Sequence, residues 1–350
     1  MENNVKNNSN ARTNSPLTTH HSRGWRAGIY SPTTTHHSPK RWLCAFAFLL
    51  ITGVGFAQQR PMQSLYMFDP LLVNPAYAGT HVQLSGTAIY RNQWVNFDGA
   101  PKTFTGTVHS GFRKARVGLG IIFGNDQIGV HSDNSLYGVY SYKIPVSPRK
   151  NGGVLSMGLQ AGFNDLKSDY FKTTPRDGAE VGVISKFNPN FGAGVFYRGR
   201  NLYAGLSVPH ILNNKIIDII DVEMDTTFNT SGKQQRYYYL MGGFTKTLSK
   251  DVKWMPSTLV RIQNNAPLSF DINSMFIFYD VVGLGASYRL NDALIGLFEL
   301  QINENFHVGY AYDITMSDIR LYSNGSHEIM INYRIKLPKI HAGIPCPSYW

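Results

Sequence analysis

Catalysis needs nucleophiles, paired carboxylates, histidines or phosphate-cradling glycines at fixed spacings, and few such groupings occur here. From residue 58 onward there is no G-x-S-x-G, C-x-x-C, H-E-x-x-H or P-loop pattern. The nearest glycine pattern, Val117–Asp126 (VGLGIIFGND), has the wrong spacing for a dinucleotide fingerprint. Gly118, Gly120 and Gly124 read instead as small residues on one face of a strand. Asp98, Asp126 and Asp133 fall in expected loops, where solvation accounts for them. His307 falls on the polar face of an expected strand, where a lone histidine is a hydrogen-bonded filler before it is a ligand. No acid/base pair emerges, so neither enzymatic activity nor a cofactor or metal is expected. His20-His21 and His36-His37 sit in an Asn/Ser/Thr/His-rich segment without apolar periodicity, so no metal site is expected there. Cys44 lies in a stretch expected to be removed, which leaves Cys346 without an internal disulfide partner.

Composition fits two β-rich classes, an outer-membrane barrel and a secreted β-sandwich. Charged residues are 16% of the 350 positions, against about 25% in an average soluble domain. The chain has 20 Tyr, 20 Phe, 5 Trp and 33 Gly. Mean hydropathy is −0.21, too polar for a bundle of membrane helices. A barrel reconciles these values, because its polar lumen offsets its apolar lipid face. A secreted β-sandwich has a similar composition. The net charge of +11 falls to +6 once the six Lys/Arg and one Glu of residues 1–57 are set aside. No basic block with interleaved aromatics is present, so nucleic acid is not an expected partner.

Lys40-Arg41 precede an apolar run, Trp42–Ala57, that ends in Gly55-Phe56-Ala57, a small-x-small cleavage pattern. Residues 41–57 therefore read as a signal peptide cut before Gln58, and the run is short for a membrane span. Residues 1–40 are a low-complexity leader in which SPLTTHHS (15–22) recurs as SPTTTHHS (31–38), consistent with a mis-called start.

From Val82 to Lys336, segments of nine to twelve residues alternate apolar with polar or small side chains. The last is the clearest: Ile329, Ile331, Tyr333 and Ile335 face one way, with Glu328, Met330, Asn332, Arg334 and Lys336 opposite. Fourteen strands are expected, at 82–92, 101–110, 115–124, 134–144, 152–163, 191–198, 201–208, 236–247, 253–263, 268–278, 281–289, 292–300, 304–313 and 326–336. In up-and-down order, every connection longer than about eight residues falls in the odd-numbered set. Outer-membrane barrels pair long outer loops with short periplasmic turns in this way, and single-chain bacterial barrels have even strand numbers. The expected fold is thus an all-β, transmembrane, up-and-down antiparallel β-barrel with both termini periplasmic. A 337–350 tail follows it.

Residues 58–81 precede the first strand. They are apolar, yet Pro61, Pro70 and Pro75 deny them a continuous helix. Irregular backbone cannot face lipid, so this proline-broken segment is expected to cap or plug the barrel or to dock a periplasmic partner. Asn74 and Pro75 turn the chain, Gly79 permits close backbone passage, and Tyr77 is a candidate anchor at the membrane interface. In the first outward loop, Trp94 and Phe97 flank the Asp98-Gly99 turn signal and Pro101 opens the next strand. This loop reads as a structural hairpin or as aromatic anchors for a partner.

Four separated stretches carry a family resemblance: Tyr66–Gly79 (YMFDPLLVNPAYAG), Tyr90–Thr103 (YRNQWVNFDGAPKT), Asn190–Leu212 (NFGAGVFYRGRNLYAGLSVPHIL) and Ser326–Lys336 (SHEIMINYRIK). With the tail at Cys346-Pro347, they resemble the PorP/SprF proteins of the type IX secretion system. The resemblance implies a non-enzymatic outer-membrane component that binds other secretion components and secreted surface proteins. It would support secretion or surface anchoring of large cell-surface proteins, gliding adhesins among them. A passive porin or small-solute transporter is the alternative, with Asp271, Asn273, Glu328, Arg334 and Lys336 lining the pore.

Overall fold

The computed structural model describes residues 62–81, 83–112, 116–146, 152–169, 183–217, 232–264 and 266–335. The leader, the signal peptide, Lys336, Cys346 and the 337–350 tail lie outside these residues. The strands are β1 (Leu84–Asn92), β2 (Lys102–Phe112), β3 (Val117–Ile128), β4 (His131–Pro145), β5 (Val154–Asp169), β6 (Val183–Arg198) and β7 (Leu202–Val208). Two short strands follow, β8 (Lys215–Ile217) and β9 (Gly232–Lys233). The wall resumes with β10 (Tyr237–Phe244), β11 (Lys246–Thr247), β12 (Val252–Gln263), β13 (Ser269–Phe278) and β14 (Val282–Arg289). It ends with β15 (Ala293–Gln301), β16 (Phe306–Thr315) and β17 (Ser326–Ile335).

Each wall strand pairs antiparallel with its neighbour, and β1 pairs with β17 from Leu84↔Ile335 to Asn92↔His327. That seam closes the sheet on itself. β10 and β11 occupy one position, interrupted at Thr245, whose N–H donates to Asn201 O at 2.8 Å. The described residues therefore form a closed 14-stranded barrel, with β8 and β9 as a separate two-stranded ribbon. Closure removes the unpaired edges that an open sheet would expose to lipid.

Side-chain alternation sorts the two faces. On β17, Ile329, Ile331, Tyr333 and Ile335 face outward, while Glu328 and Met330 are fully buried and Asn332 and Arg334 nearly so. Asp271 and Asn273 on β13 are likewise buried. The outward row continues around the wall through residues such as Leu159, Phe191, Leu206 and Ile272.

The barrel has a turn end, where β1 begins and β17 stops, and a loop end, which carries 93–101, 209–236 and 316–325. Four strands run further than the apolar alternation foretells. β3 and β4 continue to a turn at Gly129 (φ +55), and β5 and β6 have 16 residues each. At about 3.3 Å per residue, 16 residues exceed a hydrocarbon core of about 30 Å. The projecting parts mix polar side chains with exposed Val183 and Phe187, because away from lipid nothing enforces an unbroken apolar face, while ladder hydrogen bonds need only backbone. Asp126 and Asp133 therefore sit opposite each other in strands rather than in loops. Asp126 accepts from Thr103 Oγ1 at 2.7 Å, and Asp133 accepts from Asn164 Nδ2.

Candidate functional site

The lumen is occupied by the chain's own residues 62–81. Leu65, Tyr66, Met67, Phe68, Leu71, Ala76, Tyr77 and Ala78 are each at most 3% exposed. Two 3-10 turns, Pro70–Leu72 and Pro75–Tyr77, compact a stretch that its prolines keep from forming a helix. The segment runs the height of the barrel. Met62 contacts Ser269 at the loop end (Sδ to Oγ 3.8 Å), whereas Thr80 O accepts from Arg198 Nη1 at 2.8 Å at the turn end. From there the chain enters β1.

The first part is held by ions. Glu328 accepts from the backbone N–H groups of Ser64 and Leu65, one on each carboxylate oxygen, both at 2.8 Å. Arg91 bridges Glu328 at 2.8 Å and Asp313 at 2.6 Å. Ser64 Oγ donates to Asp313 at 2.9 Å and accepts from Arg91 at 2.9 Å and Arg289 at 3.4 Å. Arg289 in turn pairs with Asp271 at 3.2 Å. These five ionised side chains are nearly inaccessible, so their attraction is weakly screened and each needs its partner. Further in, Tyr66 Oη accepts from Asn273 Nδ2 at 2.6 Å, and Thr107 Oγ1 donates to the Asp69 carboxylate.

The second part is held by shape and by hydrogen bonds to its backbone, two of them donated by the cations Lys143 and Arg198 at the turn end. Asn74 Oδ1 accepts from Ala76 N at 3.0 Å and caps the second 3-10 turn, while its Nδ2 donates to Val195 O at 3.0 Å. Pro75 opens that turn, where its missing N–H costs nothing. Ser207 and Ser141 hydroxyls donate to Val73 O and Ala78 O at 2.5 and 2.6 Å. Gly79 has φ +67, donates to His109 Nδ1 at 3.1 Å, and accepts from Lys143 Nζ. Inward glycines make room for this backbone. A Cβ on Gly118 would collide with Ala78, one on Gly158 with Ala76, and one on Gly194 with the Asn74 amide. Tyr77 does not reach the membrane interface. Its ring is 1% exposed, edge-on to His109 and Phe196 at 5.6 and 5.4 Å, because β2 and β6 turn those rings inward.

A second stretch also enters the lumen. Residues 209–214 begin a connection expected to project outward, yet Gln160 Nε2 donates to Pro209 O at 2.8 Å and Tyr137 packs edge-on against His210 at 5.1 Å. Asn190 holds both Leu212 N and Leu212 O at 3.0 Å. Gly192 leaves space for Pro209.

The first loop behaves differently. Gln93 N donates to Pro101 O at 3.0 Å across its base, and Pro101 is buried. Val95 and the 324–325 stretch exchange backbone bonds at 2.9 and 3.0 Å, and Trp94 N donates to Ser326 Oγ at 3.1 Å. These bonds hold Trp94 and Asn96 at φ +50 and +72, which non-glycine residues seldom adopt. The loop thus presents Phe97 (43% exposed) and Asp98 around a cavity of about 330 Å³ that also reaches Lys102 and Gln127. Asn74, Pro75, Tyr77 and Gly79 form one lumenal cluster, and Trp94, Phe97, Asp98 and Pro101 form a separate one at the loop rim.

Asp271, Asn273, Glu328 and Arg334, read as pore-lining, do point inward; the first three are bonded to the segment or to its clamp. Ser64, Arg91, Asp313 and Arg289 escaped notice. Each charge sits within three residues of a strand end, where alternation is least informative, and the unremarkable Ser64 is their common partner. Among the described residues, no three His, Cys, Asp or Glu side chains are placed to hold a metal ion.

Comparison with known families finds a match over residues 55–333 to the type IX secretion system membrane protein PorP/SprF. No curated protein matches the chain. Among solved structures, the CymD monoaromatic hydrocarbon channel is 12% identical with a TM-score of 0.46, covering 83% of this chain and 99% of that one. The NanC porin is 10% identical with a TM-score of 0.39 over 73% of this chain and all of that one. The Acinetobacter baumannii outer membrane protein Omp33 is 9% identical with a TM-score of 0.38 over 74% and 100%. Likeness at this level carries no functional inference.

Proposed function

Because the chain belongs to the PorP/SprF family of type IX secretion system membrane proteins, we propose that it is a non-enzymatic outer-membrane component that works by binding. Its partners are other secretion components and secreted surface proteins, gliding adhesins among them, whose export or surface anchoring it supports. The long connections face outward, as in bacterial barrels generally, and the turn end faces the periplasm.

One observation carries this reading. The lumen is filled by residues 62–81, and wall side chains that would line a water path are engaged in holding that segment. A passive porin needs that volume open. Binding then falls to the rims, where the first loop holds Trp94 and Phe97 in a constrained conformation. Aromatic side chains on a fixed frame are favoured interface anchors.

The test is Trp94→Ala. The side chain supplies no bond that closes the barrel, so heat-modifiable gel mobility is expected to stay unchanged while cargo secretion falls at least several-fold. In planar bilayers the purified wild-type protein is expected to be nearly silent. Robust partner-free conductance, with normal secretion by the Trp94→Ala variant, would favour the porin.

A further inference from the structure

The direction in which residues 62–81 pass through the barrel bears on which face displays the amino-terminal end. Three independent contacts fix the upper part at the loop end. Met62 meets Ser269, the first residue of β13; Gln63 Nε2 donates to Thr105 Oγ1 at 2.6 Å; and Ser64 is clamped by Arg91, Asp313 and Glu328. Arg91 lies at the close of β1, Asp313 near the close of β16, and Glu328 near the opening of β17, all towards the loop end. Three others fix the lower part at the turn end: Gly79 to Lys143, Thr80 to Arg198, and Gly79 against Gly111 and Gly118. The chain thus descends the lumen from the loop end and turns directly into β1.

We infer that the amino terminus of the processed chain is presented at the loop end of the barrel, on the same face as the 93–101 and 316–325 connections and opposite to the strand turns. With cleavage expected before Gln58, four residues precede Met62. Fully extended they reach about 14 Å, too short to return through a lumen about 30 Å deep that is already full. The buried clamp on Ser64 and Leu65 anchors this end. This sets the amino terminus apart from the expectation that it lies with the turns. A partner that meets the Trp94–Phe97 loop would thus meet the amino-terminal end of the chain on the same rim.

Single-cysteine labelling tests this in the full-length protein, in a Cys346→Ser background, with a membrane-impermeant maleimide. Arg60→Cys reports the amino-terminal end, Leu321→Cys the loop end and Lys250→Cys the turn end; Leu321 and Lys250 are exposed. Intact and permeabilised cells are compared. Arg60→Cys and Leu321→Cys are expected to label under the same condition, at least tenfold more than Lys250→Cys in intact cells. Arg60→Cys labelling together with Lys250→Cys would overturn the inference, as would its silence in both conditions while denatured protein labels. An epitope inserted between Gln59 and Arg60, read by antibody, must give the same partition. The comparison does not depend on orientation. If Leu321→Cys labels only after permeabilisation, the outward placement of the loops fails, yet pairing of Arg60→Cys with Leu321→Cys still supports the inference.

Discussion

The two parts of the lumenal segment are held by opposite strategies. Residues 62–69 meet β1, β16 and β17 through a buried ion cluster, with Gln63, Tyr66 and Asp69 bonded to β2 and β13; residues 70–81 meet β2 to β7 through glycine-lined recesses and hydrogen bonds to backbone, only Lys143 and Arg198 at the turn end donating as cations. Buried charge is directional and fails sharply when one member is lost, since the remaining member has no water to turn to. Fitted shape fails in proportion to the volume added. One barrel uses both, which separates anchoring from seating.

That contrast orders the consequences of substitution. Glu328→Ala removes the acceptor of two backbone donors and one partner of Arg91, so a loss of about 3–5 kcal/mol is expected, read as a lowered unfolding midpoint in detergent. Glu328→Gln, which keeps one acceptor oxygen and the side-chain volume but loses the charge and the second acceptor, should lose less than Glu328→Ala. Gly158→Leu drives a side chain into the Ala76 backbone and should cost about 1–3 kcal/mol. It should also raise bilayer conductance by unseating residues 70–81. Gly296→Ala, where a Cβ meets nothing within 4 Å, is the control and should change neither measurement. Tyr66→Phe loses the bond from Asn273, which keeps Ser257 at 3.1 Å. A change of about 0.5–1.5 kcal/mol in unfolding free energy is expected. If Gly158→Leu proves costlier than Glu328→Ala, the ranking of ions over shape is wrong.

The barrel was legible because each lipid-facing strand must alternate, and the last, with Ile329 to Ile335 outward, does so without exception. Strand count and the placement of long connections followed. The projecting parts of β3 to β6 were not legible, because beyond the lipid nothing enforces apolar side chains. The segment's need for burial was legible from Leu65 to Val73. Its location was not, because inside and beneath a barrel satisfy the same apolar residues. What distinguishes them is the set of inward glycines at 111, 118, 158 and 194, dispersed over four strands whose juxtaposition only the folded wall reveals. The clamp eluded sequence reading for the same reason: Ser64 and Glu328 are 264 positions apart.

The pair Arg91 and Glu328 faces across the seam between the first and last strands, in register as direct neighbours, and both hold Ser64. Once these strands pair, no lateral path joins the lumen to the surroundings, because every ladder position along the seam is occupied. Pairing over such sequence separation is slow to form. The finished wall encloses residues 62–81 and cannot release them sideways without opening the seam that Arg91 and Glu328 span.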